Sequence, residues 1–225
     1  MAALVTWRAL CIDASDVLAV EGFWAHVLQW RVERLGDNDS VLRGSGPGEE
    51  IWVNRVPEPR TVKQRVHLDL RAESLDRFAG LEQLTAKDEL AWTVLADPEG
   101  GEFCVFIDDD PPRTRWKALG VDAVHHRSIA AWWADVLGGT LFEDDDYTSV
   151  QRLPGSTLES IDFATVPEPK TVKNRIHWDV MLTAESSVDD LVAARATVLR
   201  AADDEIRWTI MADPEGNEFC VFEGL

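Results

Sequence analysis

The chain has 225 residues, with 41 Asp and Glu against 22 Lys and Arg, a formal net charge of −19, 10 Trp, one Tyr and 3 Cys. A polyanion of this size repels nucleic-acid phosphate and anionic lipid, so neither is expected as a partner, and an apolar fraction of 45% belongs to a globular chain rather than a disordered one. No apolar run reaches the roughly 18 residues of a membrane span, the first residues lack the basic region of a secretion signal, and an odd number of Cys argues for a reducing, cytoplasmic setting.

In chain order, residues 4–12 alternate as a strand, and 16–28 have helical spacing with Ser15 or Asp16 as N-cap. Short strands follow near Val32, Val41 and 51–53. A second unit then begins, with a strand over 65–70, a helix over 74–84 and a strand over 92–95. An Asp97-Pro-Glu-Gly100 turn leads into a strand over 102–106. The same series recurs downstream as strand 116–124, helix 128–137, strand 175–181, helix 188–200 and strand 218–222.

The recurrence is literal in places. Val56-Pro-Glu-Pro-Arg-Thr-Val-Lys-Gln-Arg-Val-His-Leu-Asp69 returns as Val166-Pro-Glu-Pro-Lys-Thr-Val-Lys-Asn-Arg-Ile-His-Trp-Asp179. Trp92-Thr-Val-Leu-Ala-Asp-Pro-Glu-Gly-Gly-Glu-Phe-Cys-Val-Phe106 returns as Trp208-Thr-Ile-Met-Ala-Asp-Pro-Glu-Gly-Asn-Glu-Phe-Cys-Val-Phe222. The chain is therefore a duplication, with domains at 1–108 and 113–225 joined by a charged, proline-containing linker over 109–115. Each copy reads as α+β, two βαβββ-type modules in succession.

Alternation along a strand separates chemistry from packing. Arg65, His67 and Asp69 share one face and Val66, Leu68 and Leu70 the other, and Arg175, His177 and Asp179 divide from Ile176, Trp178 and Val180 in the same way. Glu102, Cys104 and Phe106 share a face in the last strand of copy one, as Glu218, Cys220 and Phe222 do in copy two.

Paired βαβββ modules, the His-x-Asp strand and the terminal Asp-Pro-Glu-Gly-Asn-Glu-Phe-Cys phrase resemble the glyoxalase/bleomycin-resistance (vicinal oxygen chelate) superfamily, over essentially the whole chain. The resemblance implies paired modules whose strands curl into a cup, often around a divalent ion such as zinc, nickel, iron or manganese. Carried over residue by residue, it points to His67 and Glu102 in domain 1 and to His177 and Glu218 in domain 2 as metal ligands. The first strands of the other modules, Trp7-Arg-Ala-Leu-Cys-Ile12 and Trp116-Lys-Ala-Leu-Gly-Val121, have no His, Gln or Glu, so only half of a ligand set is present for each cup.

Two functions are therefore expected. One is a protein that binds a small organic molecule in a sheet-lined cup without a complete metal site. The alternative is a divalent-metal-dependent lyase, isomerase, dioxygenase or transferase. Trp52, Arg65, Asp69, Arg175 and Asp179 are the ligand-contact candidates, and Trp52 should line the cup of domain 1 where domain 2 has Asp162. Trp7/Trp116, Trp24/Trp133 and Trp92/Trp208 recur in both copies and are expected to be framework. Cys104 and Cys220 are expected to be packed thiols, and the Glu, Lys and Arg of each Val-Pro-Glu-Pro connection an ion-paired brace. The assembly is expected to be a monomer with pseudo-twofold domains or a homodimer.

Overall fold

The computed structural model describes residues 2–86, 89–110 and 115–224; most of the expected linker, 111–114, lies outside them. The first module runs β1 (Val5–Ala14), α1 (Val17–Leu28), β2 (Arg31–Arg34), β3 (Asp39–Arg43) and β4 (Glu50–Arg55). The second contributes β5 (Val66–Ala72), a 3-10 turn (Leu75–Phe78), β6 (Thr93–Ala96) and β7 (Glu102–Ile107). The third repeats the first as β8 (Trp116–Ala123), α2 (His126–Leu137), β9 (Thr140–Glu143), β10 (Tyr147–Gln151) and β11 (Ser160–Thr165). The fourth is β12 (Ile176–Leu182), α3 (Val188–Ala193), β13 (Thr197–Arg200), β14 (Thr209–Ala212) and β15 (Glu218–Phe222).

Sequence and structure agree on the α+β class and on the duplication. They differ in how modules meet. Sheet A has eight strands in the order β13-β14-β15-β12-β1-β4-β3-β2, and sheet B has seven in the order β6-β7-β5-β8-β11-β10-β9. Each open sheet thus joins the first module of one domain to the second module of the other, through antiparallel β1–β12 and β5–β8 seams. Cups assigned domain by domain must be reassigned accordingly. The connections explain the exchange. Pro57, Pro59, Pro167 and Pro169 interrupt strand pairing, and each Val-Pro-Glu-Pro segment bends at its first Pro and Glu and carries the chain to the other sheet instead of back beside its own first strand.

Two expected helices are shorter than their apolar spacing suggests. The helix over 74–84 is only the 3-10 turn, since Gly80 takes φ +90° just beyond the buried Phe78. The helix over 188–200 stops at Ala193, Arg195 turns left-handed at φ 79°, and Thr197–Arg200 leaves to pair with β14. In sheet B the corresponding edge strand is reduced to one bridge, Gln83 to Leu95.

The core lies on the helix-covered faces. α1 buries Val17, Val20, Trp24, Val27 and Leu28 against Leu10, Ile12, Leu42, Ile51 and Val53. Trp24 packs edge-on to Phe103, and Trp133 to both Trp178 and Phe219. Trp7 and Trp116 meet with ring centroids 6.1 Å apart, one from each domain. Burying rings of this size removes about 200 Å² each from water, roughly 5 kcal/mol of transfer free energy per ring. No helix among the described residues is long and apolar enough to cross a membrane.

Candidate functional site

One row of side chains crosses the polar face of each sheet. In sheet A, Cys11 of β1 lies opposite His177 of β12 and beside Trp52 of β4. Asp179, two residues along β12, sits beside Cys220 of β15. These residues line a cavity of about 480 Å³ together with Glu218, Trp208, Ile210, Phe222 and Arg8. Leu10, Ile12, Trp178 and Val180 point the other way and are fully packed, as alternation requires.

A register shift between Trp7 and Ala9 breaks that alternation. The bulge sends Trp7 into the core and Arg8 into the cup. Arg8 Nη1 donates to Asp179 Oδ2 at 2.9 Å, and its guanidinium carbon lies 3.9 Å from the Phe222 ring centre. Trp208 stacks on Phe222 at 5.5 Å and 27°. So Trp208 is cup wall rather than framework, and its counterpart Trp92 stacks on Phe106 in the same way with 37% exposure.

The side chains at the floor of the sheet A cup are buried. Burial pushes the Asp179 carboxyl up to about 6, although Arg8, Cys11 and Cys220 favour its charged form. Burial, reinforced by Asp179, pushes both the Cys11 and Cys220 thiols up. Burial pulls His177 down, and its Nδ1 has no hydrogen-bond partner. The floor therefore offers a neutral imidazole, two thiols, and a carboxylate with Oδ2 tied to Arg8.

Sheet B has the same frame and a different floor. Gly120 stands where sheet A has Cys11, and Asp162 where it has Trp52. A Cβ at residue 120 would overlap the His67 ring, so the missing side chain is what lets that ring lie against the strand. There His67 Nε2 comes within 3.3 Å of Asp69 Oδ1. Burial pulls the His67 imidazole down, but the nearby Asp69 and Cys104 side chains outweigh it and hold it well above the ordinary histidine value. Lys117 reaches over Phe106 and lies 3.6 Å from Asp162.

The sequence candidates sort cleanly. His177, Glu218, Asp179 and Trp52 converge in sheet A, and His67, Glu102 and Asp69 in sheet B. Trp52 thus serves the cup whose other half comes from domain 2. Arg65 and Arg175 lie outside both cups, along a separate cavity of about 550 Å³ between the two connections. Arg65 donates to the Glu168 and Asp122 carbonyls at 2.7 and 2.9 Å, and Arg175 to the Glu58 carbonyl and Glu99 Oε2, both at 2.6 Å. Each arginine fastens the other domain.

The family-type His/Glu metal set fits sheet A poorly. Glu218 is engaged by Lys170 Nζ at 2.6 Å and the Asn174 amide at 3.1 Å, and Trp52 contributes no donor atom in the row. Two other groups bring three donors within 4.8 Å of one another: Cys11, His177 and Asp179 in sheet A, and His67, Asp69 and Cys104 in sheet B. Sequence reasoning passed over Cys11, Arg8 and Trp208. A thiol in the first strand, and a Trp at the start of the strand facing Phe222, were the available signals for two of them. The bulge hid Arg8.

No curated protein sequence matches the chain significantly. Among solved structures, glyoxalase I from Zea mays superposes with a TM-score of 0.67 at 13% identity, over 97% of this chain and 92% of that one. A putative dioxygenase from Bacillus subtilis gives 0.64 at 12%, over 98% and 86%, and the cppA protein from Streptococcus pneumoniae 0.54 at 11%, over 98% and 99%. At such identities these likenesses concern the fold. The glyoxalase-like domain family matches residues 9–106 and again 118–222, so the chain belongs to that family and carries its domain twice.

Proposed function

We propose that the sheet A cup binds a small organic molecule with a flat apolar part, and that sheet B supports it. The observation carrying this reading is the asymmetry between equivalent positions: Trp52 and a 480 Å³ cavity on one side, Asp162 beside Lys117 on the other. Trp52, Trp208 and Phe222 form apolar walls suited to a planar group, and Arg8 at the floor can meet a carboxylate or another acidic oxygen.

The test uses anilinonaphthalene sulfonate, a flat aromatic anion, as probe. Its binding to the folded protein should enhance its emission, and Trp52→Ala or Trp208→Ala should weaken binding about fivefold each, the worth of one lost aromatic contact. Trp92→Ala, on the stacked pair of sheet B, should leave the affinity unchanged. If Trp92→Ala weakened binding while Trp52→Ala did not, the assignment to sheet A would be wrong. A metal-assisted enzyme is the second reading, favoured by the Cys11, His177 and Asp179 donor group.

A further inference from the structure

We propose that the floor of the sheet A cup is a thiolate-containing metal site, with Cys11, His177 and Asp179 as ligands for a borderline-soft divalent ion of the zinc, cobalt and cadmium type. This is not the His/Glu set implied by the fold's resemblance, because Glu218 is committed to Lys170 and Asn174.

Geometry is the first argument. One donor atom from each of the three residues lies within 4.8 Å of the other two, and Cys11 Sγ is 3.5 Å from Asp179 Oδ1. A tetrahedral zinc with bonds of about 2.0–2.3 Å needs donors about 3.3–3.8 Å apart, so closure requires side-chain shifts of about an ångström. The donor set is the second argument. Thiolate plus imidazole plus carboxylate selects zinc-like ions over magnesium or calcium, which take oxygen ligands.

The third argument is how each donor is held. The His177 residue is only 8% exposed and its buried Nδ1 has no hydrogen-bond partner, so that nitrogen is not tied to another protein group. Asp179 has Oδ2 fixed by Arg8 at 2.9 Å, an outer contact that orients the carboxylate and leaves Oδ1 toward Cys11. All three ligands line the cavity, so a fourth position would open onto it. Binding releases the Cys11 thiol proton to solvent as the sulfur–metal bond forms, with no change of oxidation state. A disulfide is not the alternative use of these thiols. Cys11 on β1 and Cys220 on β15 are separated by β12, about 9.6 Å across the sheet, beyond disulfide reach.

Sheet B gathers its own donors, His67, Asp69 and Cys104, but has no thiol on the strand facing the histidine. Gly120 offers no ligand, and His67 is already paired with Asp69. The divergence at 11 and 120 thus sets apart the two floors.

Cobalt(II) and cadmium(II) chloride titrated into the reduced, full-length protein, with no organic ligand present, provide the test. One ion per chain should bind with a thiolate-to-metal charge-transfer band. Cys11→Ser and His177→Ala should each lose the band and weaken binding by about a hundredfold or more, while Glu218→Gln and Cys104→Ser should stay within about threefold. Near-ultraviolet circular dichroism checks that each variant is folded, and Cys11→Ser, nearly isosteric, keeps the test valid if His177→Ala is not. Absence of uptake, a band that survives Cys11→Ser, or one lost in Glu218→Gln or Cys104→Ser would overturn the site. None of these results touches the organic-ligand reading, which its own probe decides.

Discussion

Replacing Gly120 with Ala would place a Cβ in contact with the His67 ring, overlapping Nε2 and Cε1 and lying 3.0 Å from Cδ2. Gly120 is not among the positive-φ glycines, so the backbone accepts Ala and the ring must yield. As it swings away, the 3.3 Å contact with Asp69 Oδ1 and the approach to Cys104 are lost. A close contact between an imidazolium and a buried carboxylate is worth about 1.5–3 kcal/mol, and Gly→Ala returns about 0.5 kcal/mol by restricting the unfolded chain. The expected net cost is therefore about 1–2.5 kcal/mol where His67 is protonated. His67 lies above its ordinary value in the folded protein. The stabilisation it brings is fully present below about pH 6.5 and fades as pH rises through the raised folded value. Urea denaturation should therefore show the variant's deficit at pH 5.5 and little of it well above the raised value. NMR titration should show the imidazole moving below the ordinary value, toward the behaviour of His177, once burial acts alone. An unmoved His67 titration, or a deficit equal at both pH values, would refute the argument that Gly120 exists to seat this ring.

Two further outcomes follow from the other floor and from the connections. Asp179 rises from 3.8 to about 6, worth about 3 kcal/mol, so its contribution is present below pH 3.8 and lost as pH climbs through 6. Asp179→Asn should remove that dependence: stability of wild type relative to variant, followed by urea titration from pH 3.5 to 7.5, should fall by about that amount, and parallel curves would contradict it. Arg175→Ala removes bonds to the Glu58 carbonyl and the Glu99 carboxylate and should cost about 2–4 kcal/mol, whereas Arg65→Ala, which loses two carbonyl contacts, should cost about 1–2. Equal losses, or the reverse order, would show that the carboxylate contact is not what separates the two braces.

Much of the fold was legible because it is written twice. The phrases around Val56 and Val166 and around Trp92 and Trp208 expose the duplication, and alternation in Arg65–Leu70 and its copy identifies the polar face. Periodicity reports which face a residue occupies, but not which strand lies beside it. In a duplicated chain the first strand has two equally suitable partners, so reciprocal pairing of modules leaves no trace in local pattern. The misjudged helices have the same root: apolar residues recur at helical spacing from Val188 through Leu199, and the left-handed Arg195 divides helix from strand. Arg8 was hidden because one bulged residue reverses the parity of everything before it.

The site was legible as residue types and not as a constellation, and Cys11 shows why. In its own strand it is a small apolar residue between Leu10 and Ile12, which invites a packing role. It acquires chemistry only across the β1–β12 seam, where it meets a histidine from the other end of the sequence. The same seam in sheet B brings His67 to Gly120. Two nearly identical His-x-Asp strands therefore acquire opposite electrostatics from their neighbours: one imidazole held above its ordinary value by Asp69 and Cys104, the other pulled below it by burial. A duplicated fold can keep both frames intact and still make one cup a binding site, because a single side chain facing the histidine decides where the ring lies and which of its neighbours it can reach.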